Sequence, residues 1–136
     1  MLDASVVAAW YLRGQATAGA DALLADAANI EFVVPHIFPT EVTSLLLRAE
    51  RNRRITAARS REVLDDLGGY RLRIQEAPSL GQAGLTLALA RDEMLSAYDA
   101  LYLDLAAREG LILATRDGAL LQAAARRSVQ TRDLRT

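Results

Sequence analysis

Between Ala97 and Glu109 the chain is apolar at nearly every position, and the interior exceptions, Asp104 and Arg108, stand four apart and form one narrow wet stripe. That pattern predicts a largely buried helix over about Ala97 to Glu109. Ser96 is placed to cap its start, and Gly110 suits the left-handed residue that closes a helix. At 100° per residue, Asp99 lies about 140° from Asp104 and about 180° from Arg108, so it points towards the protein. Leu111 to Ala114 follows as a short apolar run bounded by a glycine, which suits a buried strand. It leads straight into Thr115-Arg116-Asp117-Gly118, so a second acid sits where a strand ends.

The rest of the chain alternates in the same way. A short apolar helix is predicted from about Ser5 to Leu12 and is broken by Gly14. Thr17 caps an alanine-rich helix to about Ala28. Phe32-Val33-Val34 is a strand stopped by Pro35, and Pro39 then begins a helix that runs to about Arg51, with Glu41 in its first turn. Another helix spans about Thr56 to Leu67, ended by Gly68-Gly69, and Tyr70 to Ile74 alternates as a strand does. Ser79 and Gln82 fit a capping box that opens a helix to about Arg91. Gly118 to Arg127 is a last helix, and Ser128 to Gln130 a terminal strand. Short strands alternating with helices predict one α/β domain over residues 1–136 with a mainly parallel sheet.

Composition narrows the chemistry. Apolar residues make up 51% of the 136, enough for a core, and no apolar run approaches a membrane span. Met1-Leu2-Asp3 offers no leader segment, and the absence of cysteine fits a reducing cytosol, so a cytoplasmic protein is expected. All 16 basic residues are arginine and the only histidine is His36. Lysine chemistry, including that of phospho-receiver domains, and any two-histidine site are thereby excluded. A dehalogenase-like phosphatase wants a second aspartate two residues after the first, where Ser5 stands. The net charge of −1 leaves a nucleic-acid partner open, because clustering matters more than the total.

Four acids share one kind of position. Asp3 and Asp117 follow strands and precede helices, Glu41 lies in a first helical turn, and Asp99 is the third residue of the central helix. Singly, Asp3 and Asp117 fit N-caps, Glu41 answers a helix dipole, and Ser96 with Asp99 fits a capping box. Together they fit the carboxyl ends of parallel strands, where open α/β sheets bind ligands. Four crowded carboxylates raise one another's pKa, and a hard divalent cation, Mg2+ or Mn2+, relieves that repulsion and activates water against a phosphodiester.

The residues that carry this pattern also resemble a known family. D-A-S at Asp3 to Ser5, P-T-E-V at Pro39 to Val42, S-A-Y-D-A-L-Y-L at Ser96 to Leu103 and L-A-T-R-D at Leu113 to Asp117 resemble the PIN domain, in particular the VapC toxins of toxin–antitoxin pairs. The resemblance covers essentially the whole chain in family order, and Y-D-A-x-Y-L is its most specific part. It implies a three-layer sandwich, a mainly parallel central sheet flanked by helices, and an Mg2+- or Mn2+-dependent endoribonuclease. It assigns Asp3, Glu41, Asp99 and Asp117 to the acidic catalytic and metal site, with Ser5 and Thr115 as supporting hydroxyls. It implies a homodimer inhibited by a cognate, VapB-like antitoxin whose C-terminal segment reaches the acidic pocket. The chain departs from relatives at Ser44, where asparagine is frequent, and in the short strand Met1-Leu2 before Asp3. The alternative is a non-catalytic PIN-like module that binds RNA or protein.

Arg48, Arg51, Arg53, Arg54, Arg59 and Arg61 cluster around one helix–helix connection. They read either as contacts to RNA phosphate or antitoxin, or as a solvated corner with Glu50 and Glu62. Arg116 beside Asp117 carries the same two readings. Asp92 and Glu93 read as loop charges, His36 as structural or exposed, Trp10 and Tyr11 as core or dimer contacts, and Tyr98 and Tyr102 as packing around Asp99.

Overall fold

The computed structural model describes residues 1–136. Seven α-helices alternate with four short strands: α1 (Ser5–Tyr11), α2 (Ala18–Ala25), β1 (Glu31–Val34), α3 (Phe38–Arg51), α4 (Ala57–Gly68), β2 (Arg71–Ile74), α5 (Leu80–Glu93), α6 (Ala97–Glu109), β3 (Leu113–Thr115), α7 (Gly118–Arg126) and β4 (Thr131–Asp133). β1 pairs with β2 and β3 with β4, both in parallel.

The first residues join these two pairs. Leu2 bridges Ala114 in parallel. Leu2 N–H donates to the Val33 carbonyl at 3.2 Å, Ala114 N–H to Met1 at 2.9 Å, and Asp3 N–H to Ala114 at 3.1 Å. The order across the sheet is therefore β2, β1, the Met1–Asp3 segment, β3, β4, with the β1–β2, segment–β3 and β3–β4 contacts parallel. The segment before Asp3 is as short as its sequence suggests, yet it lies in the middle of the sheet, with Leu2 fully buried.

Consecutive residues of a strand face opposite sides of the sheet. In β1, Phe32, Val33 and Val34 are all buried, as are Leu113, Ala114 and Thr115 in β3. Both faces of the central strands are thus covered, which is the expected mixed α/β sandwich with a parallel sheet. The edges differ from the centre. β2 is mostly exposed, and its Arg71 and Arg73 pair with Glu31, Arg73 also reaching Glu109. On β4, Asp133 pairs with Arg135.

Several boundaries shift for local reasons. The Ala18 helix ends at Ala25 and gives way to a 3-10 turn over Ala27–Asn29. Leu111 N–H closes the end of α6 by donating to Ala106, so β3 starts two residues later than its apolar run. The terminal strand begins at Thr131 rather than Ser128, because Ser128 turns left-handed (φ 55°) and Val129 N–H still donates to Ala124 of α7. α5 extends to Glu93, so Glu93 is not a loop charge; it pairs with Arg126 at 2.7 Å and with Arg127 at 2.5 Å and pins α5 to α7. The predicted caps at Thr17, Ser79, Ser96 and Asp117 all form, and Thr56 caps α4 as well.

Leu103 of the central helix is fully buried in the main core. Leu103→Ala is expected to cost about 3 kcal/mol, read as a lower urea midpoint with an unchanged slope.

Candidate active site

The start of α1, the start of α3, α6 and the β3–α7 turn supply the four acids. Asp3 follows the central sheet segment and is only 6% exposed. It does not cap α1; Ala4 holds that position without a side-chain bond. Instead its Oδ2 accepts from the Ser5 hydroxyl at 2.5 Å and from the Thr115 hydroxyl at 2.6 Å. Those hydroxyls are themselves fixed by backbone: Arg116 N–H donates to Ser5 Oγ at 3.3 Å and Asp117 N–H to Thr115 Oγ1 at 3.0 Å. Both supporting hydroxyls converge on one oxygen of Asp3, Oδ2.

Asp117 does cap a helix, as its position suggests: Oδ1 accepts from Leu120 N–H at 2.8 Å. Its second oxygen remains available. Glu41 lies in the first turn of α3, and its Oε2 accepts from the Tyr102 hydroxyl at 2.6 Å. Asp99 donates its own N–H to Ser96 Oγ at 3.1 Å. The reciprocal half of a capping box forms only at Ser79 and Gln82, so the Asp99 carboxylate is not held as a cap.

Electrostatics ties these groups together. Burial pushes the Asp3 carboxyl up; the Ser5 and Thr115 hydroxyls oppose this, and Asp117 adds to it. Burial also raises Asp99, with Asp117 and Asp3 pushing the same way against the Ser96 hydroxyl. Glu41 is raised by burial and by Asp3 and Asp99, against the Tyr102 hydroxyl. Each acid therefore feels at least one of the others. Each also keeps its own anchor, and the structure brings no group of three or more His, Asp or Glu side chains into metal-holding geometry.

The arginine cluster divides. Arg59 pairs with Glu62 and Arg61 with Asp65, and Arg59 also lies over the Tyr11 ring. Those two belong to a solvated corner. Arg48 and Arg54 line a groove of about 900 Å3 that also exposes Glu41, Ser5 and Arg116. Arg51 and Arg53 do not line it and are exposed to solvent. Arg116 Nη1 donates to Gln15 at 3.2 Å, while its Nε is buried without a partner.

Tyr102 is the functional residue whose role sequence reasoning missed. It is fully buried in contact with Glu41, a residue 61 positions away, and no spacing announces that contact. Tyr98 is 59% exposed and lines the groove rather than packing around Asp99. Gln15, which orients Arg116, carries no signal in the sequence. Trp10 packs beside Phe32 and Tyr70 in the core.

The model of the PIN domain family matches residues 1–126. The chain belongs to the PIN domain family. PIN domains are generally nucleases that use Mg2+ or Mn2+, so membership supports a hydrolase acting on nucleic acid. The crystal structure of PAE2754 from Pyrobaculum aerophilum is similar to this PIN domain, with 23% identity, a TM-score of 0.66, and coverage of 90% of this chain and 82% of that one. That likeness concerns the fold. No curated protein matches the chain. No helix of this PIN domain is long and apolar enough to cross a membrane.

A carboxyl whose pKa is higher in the folded state favours folding while protonated, and loses that contribution as pH rises through the folded pKa. Raised Asp3, Glu41 and Asp99 therefore make the protein in EDTA less stable as pH climbs above the ordinary carboxylate range. Asp99→Asn, neutral throughout, is expected to melt a few degrees above the parent at about pH 7, with the gain shrinking towards about pH 4 in a series of thermal melts. Tyr102→Phe, which removes the hydroxyl from a charged acceptor, is expected to cost about 2 kcal/mol in denaturant titrations while leaving the fold intact.

Proposed function

We propose that this PIN domain is a divalent-metal-dependent endoribonuclease of the VapC toxin type, with the whole chain, residues 1–136, acting as one cytoplasmic domain. The observation that carries the reading is the set of four acids at adjacent strand and helix ends, three of them raised by burial and by one another. The donor set fits Mg2+ or Mn2+: carboxylate oxygens without thiolate or imidazole. Asp3, Asp99 and Asp117 would hold the ion, and Glu41 would join directly or through water. Bound there, the ion supplies a Lewis acid and a water of lowered pKa.

The chain's own residues do the rest. Ser5 and Thr115 fix Asp3, and Tyr102 fixes Glu41, so both carboxylates are oriented before substrate arrives. Arg48, Arg54 and Arg116 along the groove take RNA phosphates, or the acidic segment of a cognate antitoxin that closes the same groove. No lysine or second histidine serves as a general base. The expected products carry a 5′-phosphate and a 3′-hydroxyl. Two copies pair in this reading; Leu80 and Leu87 of α5, seven residues apart and 94% and 59% exposed, supply an apolar stripe that supports it.

One observation favours a rival, the non-catalytic RNA- or protein-binding module: no three acids stand in metal-holding geometry. Cleavage of total cellular RNA separates the two. Purified protein is expected to give discrete fragments with Mg2+ or Mn2+ and none with EDTA, and Asp99→Ala to give none while keeping its fold. Mn2+ is expected to raise the melting temperature of the parent and not of Asp99→Ala. Undiminished cleavage by Asp99→Ala removes the assignment, and no cleavage together with no Mn2+ binding favours the module.

A further inference from the structure

A second cavity, of about 320 Å3, lies beyond the carboxyl ends of β1 and β2, next to the arginine groove. His36 lines both cavities. The two have different chemistry. The groove carries Arg48, Arg54 and Arg116, none of them paired with an acid, and suits a phosphate backbone. The second cavity has an apolar wall of Pro35, Leu101 and Leu105 and a polar rim containing Gln75, Glu76, Gln82 and the Asp104–Arg108 pair.

Most of that rim is already occupied. Gln75 donates to Glu109 at 2.8 Å, Arg108 donates to Asp104 at 2.8 Å, and Gln82 Oε1 accepts from Ser79 N–H at 2.9 Å. What remains is the Glu76 carboxylate as an acceptor, the Gln82 Nε2 group as a donor, and the His36 ring as a flat surface. An apolar slot with one acceptor, one donor and a stacking face fits a nucleobase, which single-strand binders splay out, stack and read along its edge.

We propose that this cavity is a base pocket: it takes one unstacked base of an RNA strand whose phosphates lie in the arginine groove, with His36 stacked against the base and Glu76 and Gln82 reading its edge. Glu76 accepts from an exocyclic amino group, and Gln82 Nε2 donates to the ring nitrogen beside it. Cytosine and adenine present that order of groups. Uracil presents the reverse, a carbonyl beside a ring N–H, and faces the Glu76 carboxylate with no amino donor. The pocket thus selects cytosine or adenine over uracil at one position of the strand. The inference rests on the nuclease reading only for its choice of RNA as the polymer.

The test is binding of labelled hexanucleotides rC6, rA6 and rU6 to the full chain in EDTA, where metal-dependent cleavage is suppressed, followed by fluorescence anisotropy. The parent is expected to bind rC6 and rA6 about tenfold more tightly than rU6. Glu76→Ala, at an exposed position that leaves the fold undisturbed, is expected to abolish that preference, so that the three oligonucleotides bind alike. His36→Ala is expected to weaken rC6 and rA6 about tenfold through lost stacking. Arg54→Ala is expected to weaken all three alike. Equal binding of the three oligonucleotides by the parent, no binding of any, or a preference that survives both Glu76→Ala and Gln82→Ala overturns the pocket. These outcomes are separate from the cleavage assay: Asp99-dependent cleavage without a base preference removes only the pocket, and a Glu76-dependent preference without cleavage or metal binding removes only the nuclease.

Discussion

One oxygen atom organises the centre of this protein. Asp3 is an ionisable group almost out of reach of water, and burying a carboxylate is costly unless it is hydrogen-bonded. Its Oδ2 receives two hydroxyl donors, one from α1 and one from the end of β3. Each hydroxyl is itself held by a backbone N–H of the β3–α7 turn. The central sheet segment, the first helix and that turn are therefore locked to the same atom. The arrangement also fixes the orientation of the Asp3 carboxylate, since both hydroxyls meet the same oxygen.

That lock explains what was legible in the sequence and what was not. Helix α6 matches its apolar pattern at both ends because Ser96 and Gly110 are local signals with local physics. The capping box at Ser79 and Gln82 is equally local. The family motifs located the four acids because their spacing follows the order of strands and helices. The roles of Tyr102 and Gln15 were not legible, because each depends on a contact across the fold. β3 and β4 were placed a few residues early because apolar content does not reveal which residues a helix end consumes: Leu111 and Val129 are both held by the preceding helix. Glu93 was misread for a related reason, since its two arginine partners lie more than thirty residues away.

Charge is distributed unevenly around the site. Glu41 lines a groove with unpaired arginines, and the second cavity is rimmed by carboxylates and amides. The groove therefore favours an anion and the second cavity a hydrogen-bonding group. His36, the only histidine, lines both without a charged partner.

The charged rims of the sheet bear on how the protein meets others. β2 carries two arginines locked to Glu31 and Glu109, and β4 ends in the Asp133–Arg135 pair. Short, charged edge strands resist the addition of another strand. Extension of this sheet by β-augmentation and misassembly into stacked strands are both disfavoured by these charges. The surfaces left open to a partner are the helical faces and the cavities at the strand ends, one of them lined by Arg48, Arg54 and Arg116.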